Sequence, residues 1–319
     1  VYKRQILAHP AVNRDIRSDA VEDYFAFGYV PDPKTILTSA WKLPPGHTLV
    51  IGRNETLPKP RQYWDISFGE PLSDDVNLDE EIVDRLRASV DRRLIAEVPL
   101  GAFLSGGVDS STIVALMAQL ATGAVKTTSI SFGDPAYNES QFAKMVADQY
   151  QTEHRVRQVE PSDFSLLDTL PGLYDEPFAD SSALPTYRVC ELARESVTVA
   201  LSGDGGDENF IGYRRYRWHA YEEMVRSWLP QAVRAPVFGT LGSIYPKLDW
   251  APKFLRAKST LQAVARSSLE GYLHGVTIFP TNLRNELYSR EFLKSLQGYS
   301  AIEVFEEHAA HAPVKSGLP

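Results

Sequence analysis

The stretch Leu104-Ser105-Gly106-Gly107-Val108-Asp109-Ser110-Ser111 restricts the fold of this chain more than any other. Ahead of it runs Val98-Pro99-Leu100-Gly101-Ala102-Phe103, short and largely apolar, which reads as a buried parallel strand. Behind it, Thr112 to Leu120 is apolar on most sides and reads as a helix packed on a sheet. A glycine-rich loop between a strand's carboxyl end and a helix's amino end is where an α/β sheet takes a ligand. Free N–H groups and the helix dipole favour an anion there. Gly106 and Gly107 let the backbone approach a phosphate chain closely. Ser105, Ser110 and Ser111 add hydroxyl donors, and Asp109 carries a charge that repels phosphate unless Mg²⁺ lies between them.

The loop is not of the Walker type, which places Gly-Lys-Ser/Thr after four spacer residues. Around it the chain alternates. Asn77-Leu78-Asp79-Glu80 has the form of a capping box, opening a helix whose Ile82, Val83, Leu86, Val90, Leu94 and Val98 share one packed face. Lys126–Phe132 is a β-branched strand, and Asn138-Glu139-Ser140-Gln141 caps a helix to about Tyr150 with Phe142, Val146 and Tyr150 inward. Glu153–Val159 is a further strand. This order builds a parallel sheet with helices on both faces. Asp175-Glu176-Pro177-Phe178-Ala179-Asp180-Ser181-Ser182 precedes a helix from about Leu184 to Glu195. It reads equally as a helix cap through Asp180 or Ser182 and as the side of a site that faces an acceptor.

A second apolar strand, Val197–Leu201, delivers Ser202-Gly203-Asp204-Gly205-Gly206-Asp207-Glu208. Carboxylates at Asp204, Asp207 and Glu208 do not suit a bare phosphate. They do suit Mg²⁺ or an ammonium-like nucleophile. Asp109 and Asp207 follow two expected strands, so one Mg²⁺ could be shared between them. A calcium-loop reading lacks the final Glu of the EF-hand.

The pattern Ser-Gly-Gly-x-Asp-Ser resembles the pyrophosphate loop of ATP pyrophosphatases. With the second loop and its ending Phe210-Ile211-Gly212-Tyr213, the chain resembles the synthetase domain of glutamine-hydrolysing asparagine synthetases. GMP, NAD and argininosuccinate synthetases share the first motif, and the second distinguishes the family. Gly28-Tyr29-Val30-Pro31, Leu43-Pro44-Pro45-Gly46-His47 and Tyr63-Trp64-Asp65 resemble the tail of a class II glutaminase domain, with His9 and His47 structural. The resemblance implies an α/β fold of the adenine nucleotide α-hydrolase type, a parallel sheet flanked by helices. A remnant of an α+β N-terminal nucleophile glutaminase domain precedes it over residues 1–66. Residues 67–319 form the ATP-pyrophosphatase domain, with a linker at 67–76 and a helix-rich end.

It implies the following site. Leu104 and Ile130 line the adenine through backbone contacts, Ser105, Gly106, Gly107, Asp109, Ser110 and Ser111 cradle the β,γ-phosphates, and Ser202 and Gly203 touch ATP near the α-phosphate. Asp109 and Asp207 hold Mg²⁺, Asp204 steers ammonia, and Tyr213 lines the same cavity. Asn209 and Ile211 depart from the family pattern, where an apolar residue and Gly or Ala are commoner. The implied reaction adenylates a carboxylate, releases pyrophosphate and lets ammonia from glutamine displace AMP, with aspartate as acceptor. Amidotransferases associated with exosortase and exopolysaccharide clusters, which act on a glycan carboxylate, and β-lactam synthetase are the variants. A nucleotide-binding module without turnover is the reading from another class.

The resemblance implies small-molecule partners, and composition argues against nucleic acid and membrane. The net charge of −8 over 319 residues argues against a nucleic-acid surface, and no long apolar run suggests a membrane span or signal peptide. A single cysteine, Cys190, excludes an internal disulfide framework and fits a reducing cytoplasm; it reads as a small buried hydrophobe. A homodimer is the assembly expected. The chain starts at Val1 and reads as a fragment. The family's cysteine nucleophile would lie upstream, and a second acidic motif and a lysine would lie past Pro319, so no glutamine hydrolysis is expected. Tyr221, Val225, Trp228 and Leu229 mark an amphipathic stretch ended by Pro230; Leu255–Leu273 and Leu293–His308 read as further helices.

Overall fold

The computed structural model describes residues 3–53, 56, 58–66, 76–134, 138–160, 166, 168–247, 250–252 and 256–312. The chain divides into two compact units: Gly69–Gly172 with Asp180–Gly212, and Val1–Phe68 with Leu173–Ala179 and Tyr213–Pro319. In chain order, α1 (Lys3–Leu7) and α2 (Ser18–Phe27) precede an antiparallel ladder of β1 (His47–Thr48) and β2 (Arg61–Gln62). Then come α3 (Leu78–Leu94), β3 (Leu100–Phe103), α4 (Val108–Leu120), β4 (Lys126–Phe132), α5 (Ser140–Gln149) and β5 (Glu153–Val159). They are followed by α6 (Leu170–Leu173), α7 (Ala183–Arg194), β6 (Val199–Leu201) and α8 (Gly206–Asn209). The remaining described elements are α9 (Arg214–Trp228), α10 (Gln231–Ile244), α11 (Lys258–Ala265), α12 (Ser268–Val276), α13 (Thr281–Leu287), α14 (Arg290–Ser295) and α15 (Ile302–Ala310).

In the first unit, β3 to β6 form one parallel sheet in the order β5-β4-β3-β6. The chain steps outward from β3 through β4 to β5, then returns to add β6 on the other side of β3. That reversal opens a crevice at the carboxyl ends of β3 and β6. Helices α4 and α5 share one core with α3: Val90, Ala102, Leu104, Val114, Leu116, Met117, Val125, Ala143 and Ala147. Burying a Val or Met side chain there stabilises by about 1.5–3 kcal/mol. Helix α7, which makes the return, buries Ala183, Leu192 and Ala193 outside that cluster. Its Glu191 and Glu195 pair with Arg157 and Arg155 of the edge strand β5, which covers that edge with charge.

The second unit is mainly helical and is held by buried polar links between distant parts of the chain. Glu22 of α2 takes Arg284 Nε at 3.0 Å and Nη2 at 2.8 Å, and Tyr288 Oη donates to the same carboxylate at 2.8 Å. Next to it, Asp23 pairs with Lys34 and accepts from Tyr299 Oη at 2.6 Å. Burial pushes the Asp23 carboxyl up, and the hydrogen bonds from Lys34 and Tyr299 oppose that shift. Phe25 packs on Phe279 and Tyr288 beside these pairs.

Several expectations need correction. Phe142 does not point inward: it is 60% exposed, and α5 packs through Ala143, Val146 and Ala147. Small side chains on that face let the helix lie close to the sheet. Cys190 is exposed, because α7 turns Leu192 and Ala193 to the sheet instead. Asn77 stands at the start of α3 without a side-chain cap, and Ile82, Val83 and Val98 are exposed while Leu86, Val90 and Leu94 pack. The strand expected over 48–51 stops at Thr48, and Val50 is 83% exposed. The stretch to Leu273 is two helices, α11 and α12, broken where Ser267 and Glu270 form a capping box. The stretch from Leu293 breaks at Gln297 and Gly298, both with positive φ, into α14 and α15. Leu255 and linker residues 67–75 lie outside the described residues.

Candidate functional site

The first loop leaves β3 at Phe103 and enters α4 at Val108. Gly106 takes φ +86, and a Cβ there would sit 2.6 Å from Phe142 Cβ, so only glycine lets the loop rest on α5. Gly107 is the N-cap of α4 and no side chain caps the helix, which leaves its first N–H groups turned to the crevice without a side-chain acceptor. The loop is braced from within. Ser105 N donates to Ser110 Oγ at 3.2 Å, the two hydroxyls are 2.9 Å apart, and Gly107 N donates to Ser105 Oγ at 3.2 Å. Ser111 Oγ is buried without a hydrogen-bond partner.

The second loop, from Ser202 to Asp207, packs its backbone on the first. A Cβ at Gly203 would lie 2.6 Å from Ser110 N, and one at Gly206 would lie 2.6 and 2.7 Å from the carboxylate oxygens of Asp109. The Asp109 carboxylate therefore lies against the residue that precedes Asp207. Ser202 Oγ donates to Asp204 Oδ2 at 2.9 Å, and Asn209 Nδ2 donates to Gly205 O at 2.6 Å. The turn closes where Gly212 N donates to Asp207 O at 2.9 Å. A Cβ at Gly212 would collide with the Asp207 carboxylate. Ile211, which stands where Gly or Ala was expected, is held at φ 56, a region that disfavours a β-branched residue.

The contacts through Gly203 and Gly206 bring the loop that carries Ser105, Gly106, Gly107, Asp109, Ser110 and Ser111 against the loop that carries Ser202, Gly203, Asp204 and Asp207; the Asp207 carboxylate itself lies against Gly212. Leu104 and Ile130 sit in the sheet's strand ends. Leu104 N is already committed to Thr128 O at 3.0 Å, and its carbonyl accepts from Ser129 Oγ. Tyr213 belongs to the helical unit, where it starts α9, packs edge-on to Tyr216 at 5.6 Å and lies under the Arg215 guanidinium at 4.4 Å. The acidic segment also divides. Glu176 accepts from Ile36 N at 2.9 Å in the helical unit, whereas Asp180 accepts from Ser182 N at 2.7 Å ahead of α7. Those bonds from Ser182 hold the Asp180 carboxyl below its ordinary range.

Sequence reasoning missed the support beneath the first loop. Ser129 holds the Leu104 carbonyl, and His154 lies behind it, 3.5 Å from Ser129 Oγ and 2.9 Å from Thr127 Oγ1. Burial, with Lys144 adding to it, lowers the His154 pKa. These residues come from β4 and β5, so no local motif announces them; the only signal is the alternation of hydroxyls in Lys126–Phe132.

Asp109 stands in the first turn of α4 beside its uncapped amides, and the Asp207 carboxylate lies against Gly212 at the close of the second loop, so the two loops carry one such carboxylate each. This suits Mg²⁺, which is commonly held by one or two carboxylates together with substrate phosphates. Among the described residues no cluster of three or more His, Cys, Asp or Glu could hold an ion by itself. The donor set therefore fits a metal that arrives with a nucleotide.

A protein of Methanocaldococcus jannaschii, whose name assigns it provisionally to the glutamine-hydrolysing asparagine synthetases, is 41% identical over 212 residues, 65% of this chain and 41% of its own length. Asparagine synthetase (glutamine-hydrolyzing) 1 of Bacillus subtilis is 28% identical over 276 residues, 86% of this chain and 42% of its own. The chain thus spans less than half the length of these relatives. Among solved structures, the NH3-dependent NAD synthetase of Campylobacter jejuni superposes with a TM-score of 0.32 at 11% identity, over 61% of this chain and 96% of that one. The family model described as asparagine synthase matches residues 81–314, from within α3 past the end of α15, and by that match the chain belongs to the asparagine synthase family.

Proposed function

We propose that this chain carries the ATP-handling part of an amide-forming ligase of the asparagine synthetase type. The observation behind the reading is the meeting of two glycine loops, backbone to backbone, with the Asp109 carboxylate lodged between them at the sheet's switch point. In this reading residues 1–66 are the tail of a glutaminase domain and 67–319 belong to the synthetase domain.

The uncapped amides of α4 and the hydroxyls of Ser105, Ser110 and Ser111 hold the β,γ-phosphates, with Ser202 and Gly203 near the α-phosphate and Leu104 and Ile130 beside the base. Mg²⁺, when bound, is held by Asp109 and Asp207 and supplies neutralisation of the triphosphate charge. The acceptor's carboxylate oxygen then attacks the α-phosphorus as the bond to pyrophosphate breaks. Positioning and fixed dipoles do most of the work. Ammonia next attacks the acyl carbon, AMP leaves with the bonding electrons, and a proton passes to a base. Asp204 fits that last role: Ser202 Oγ donates to one of its oxygens, and a carboxylate has a second oxygen with which to accept. Aspartate is the acceptor proposed, with the reaction in the cytoplasm.

Calorimetry on this chain should show ATP binding that depends on Mg²⁺. In the longer protein, Asp109→Asn and Asp207→Asn should each slow pyrophosphate release by roughly 10²–10³-fold. Release close to that of the parent protein in both variants would refute the assignment. Supplying aspartate or a uronic acid as acceptor, with ammonia, separates amino-acid from glycan amidation. Binding without any release by the longer protein would leave a nucleotide-binding module.

A further inference from the structure

The helical unit contains a cavity of about 530 Å³ that the nucleotide reading does not use. Its walls come from α9, the start of α11, and α12. Arg214, Arg215 and Arg256 line it against one carboxylate, Glu222. Its Oε2 takes Arg226 Nη2 at 3.1 Å, and Arg226 also pairs with Glu223, so these three groups together carry one negative charge. The three lining arginines therefore leave the cavity cationic. Arg256 is anchored through Nε to Ala251 O at 2.7 Å, which holds its guanidinium in place.

Two further features point to an anion. Helix α11 opens on the cavity with Ser259 and Thr260 in its first turn, and its N-cap residue, Ala257, has no side chain able to cap it. His219 lines the cavity and is only 7% exposed, yet its Nδ1 is buried with no hydrogen-bond partner. The nearest carboxylate oxygen, Glu222 Oε2, is 3.8 Å away, beyond hydrogen-bond range. Nε2 faces Ser268 Oγ at 3.3 Å and Glu223 Oε1 at 3.6 Å; in the tautomer with the Ser268 hydroxyl donating, Nδ1 carries a proton that has no acceptor among the described residues. Buried donors are rarely left unpaired, and a ligand oxygen would satisfy this one. Two aromatic rings complete the wall together with small and aliphatic residues: Trp218 lines one part, and Tyr272 stands edge-on to His219 at 5.2 Å.

We infer that this cavity binds a small molecule presenting a carboxylate or phosphate on a ring-shaped body, with the oxyanion toward the arginines, His219 and α11, and the ring against Trp218. Its volume is in the range of small-molecule sites. The inference does not rest on the proposed amide chemistry.

Titration of the 319-residue chain with glucuronate, glucose 6-phosphate and uncharged glucose, followed by calorimetry and tryptophan fluorescence, tests it. At least one of the two anions should bind saturably, glucose should not, and affinity should fall with added salt. Removing one charge-assisted contact should weaken binding about tenfold in Arg256→Ala and in Arg214→Gln. Trp218→Phe should remove the fluorescence change. Arg214 is exposed, so its variant tests the site even if Arg256→Ala fails to fold. Binding of glucuronate alone identifies a carboxylate ligand, and of glucose 6-phosphate alone a phosphate; binding of both supports the shared oxyanion. No saturable binding of either anion, equal binding of glucose, or affinity unchanged in folded Arg214→Gln would overturn the inference.

Discussion

Each of the two units depends internally on a different kind of contact. In the sheet unit the candidate site is built largely of backbone: glycines without side chains, uncapped amides, and two loops in contact through Gly203 and Gly206. In the helical unit the decisive contacts are side-chain charges buried far from their partners in sequence, such as Glu22 with Arg284 and Asp23 with Lys34 and Tyr299. The difference shows what each region tolerates. A site of backbone is sensitive to added atoms, whereas a core of paired charges is sensitive to their removal.

The strongest test of this contrast is Arg284→Ala. Arg284 is 1% exposed, and its loss leaves Glu22 buried with only Tyr288 for company. The cost should be about 3–5 kcal/mol, read as a lower urea midpoint. Arg157→Ala, which breaks exposed pairs on β5, should cost under about 1 kcal/mol. Similar costs for both would mean that burial does not set the energetics of the helical unit.

Gly206→Ala comes next. Its methyl would meet the Asp109 carboxylate, so it should cost about 1–3 kcal/mol and weaken ATP binding. Calorimetry showing full affinity would mean that the loops do not need this close approach. Ile211→Gly should act the other way. Relieving a β-branched residue at φ 56 should raise stability by about 1 kcal/mol, seen as a higher midpoint, and an unchanged or lower one would show that no strain is stored there.

The smallest effect concerns pH. Hydrogen bonds from Ser182 hold the folded Asp180 pKa below its ordinary value of 3.8. Its contribution is therefore complete above the unfolded value and is lost as pH falls through the folded one. Asp180→Ala should cost about 1 kcal/mol near neutrality and almost nothing in strong acid; urea titrations at both pH values check it. An equal cost at both would assign the residue a role independent of its charge.

Much of the sheet unit was legible because a ligand loop is contiguous: the strand, the glycines, the hydroxyls and the helix start are neighbours in the chain. Both loops, the alternating strands and α7 follow from that. The inward face of α5 was misread, because Phe142 outranks Ala143 in hydrophobicity while the close approach of helix to sheet selects the smaller residue. Cys190 was misplaced for a related reason, since the rotation of α7 is chosen by Leu192 and Ala193 together.

By itself, then, the amino-acid sequence determined the parallel sheet, its two glycine loops and the anion-seeking helix start, because these depend on side-chain size and backbone freedom over a few consecutive residues. Only the tertiary structure decided that Ser129 and His154 support the first loop, that α2 is bound to the region from α13 to Tyr299 by buried charges, and that three arginines meet an unpaired histidine nitrogen in one cavity. Those choices depend on which charged groups can leave water together, and partners that satisfy one another across more than 250 residues of chain, as Glu22 and Arg284 do, leave no mark on the local pattern.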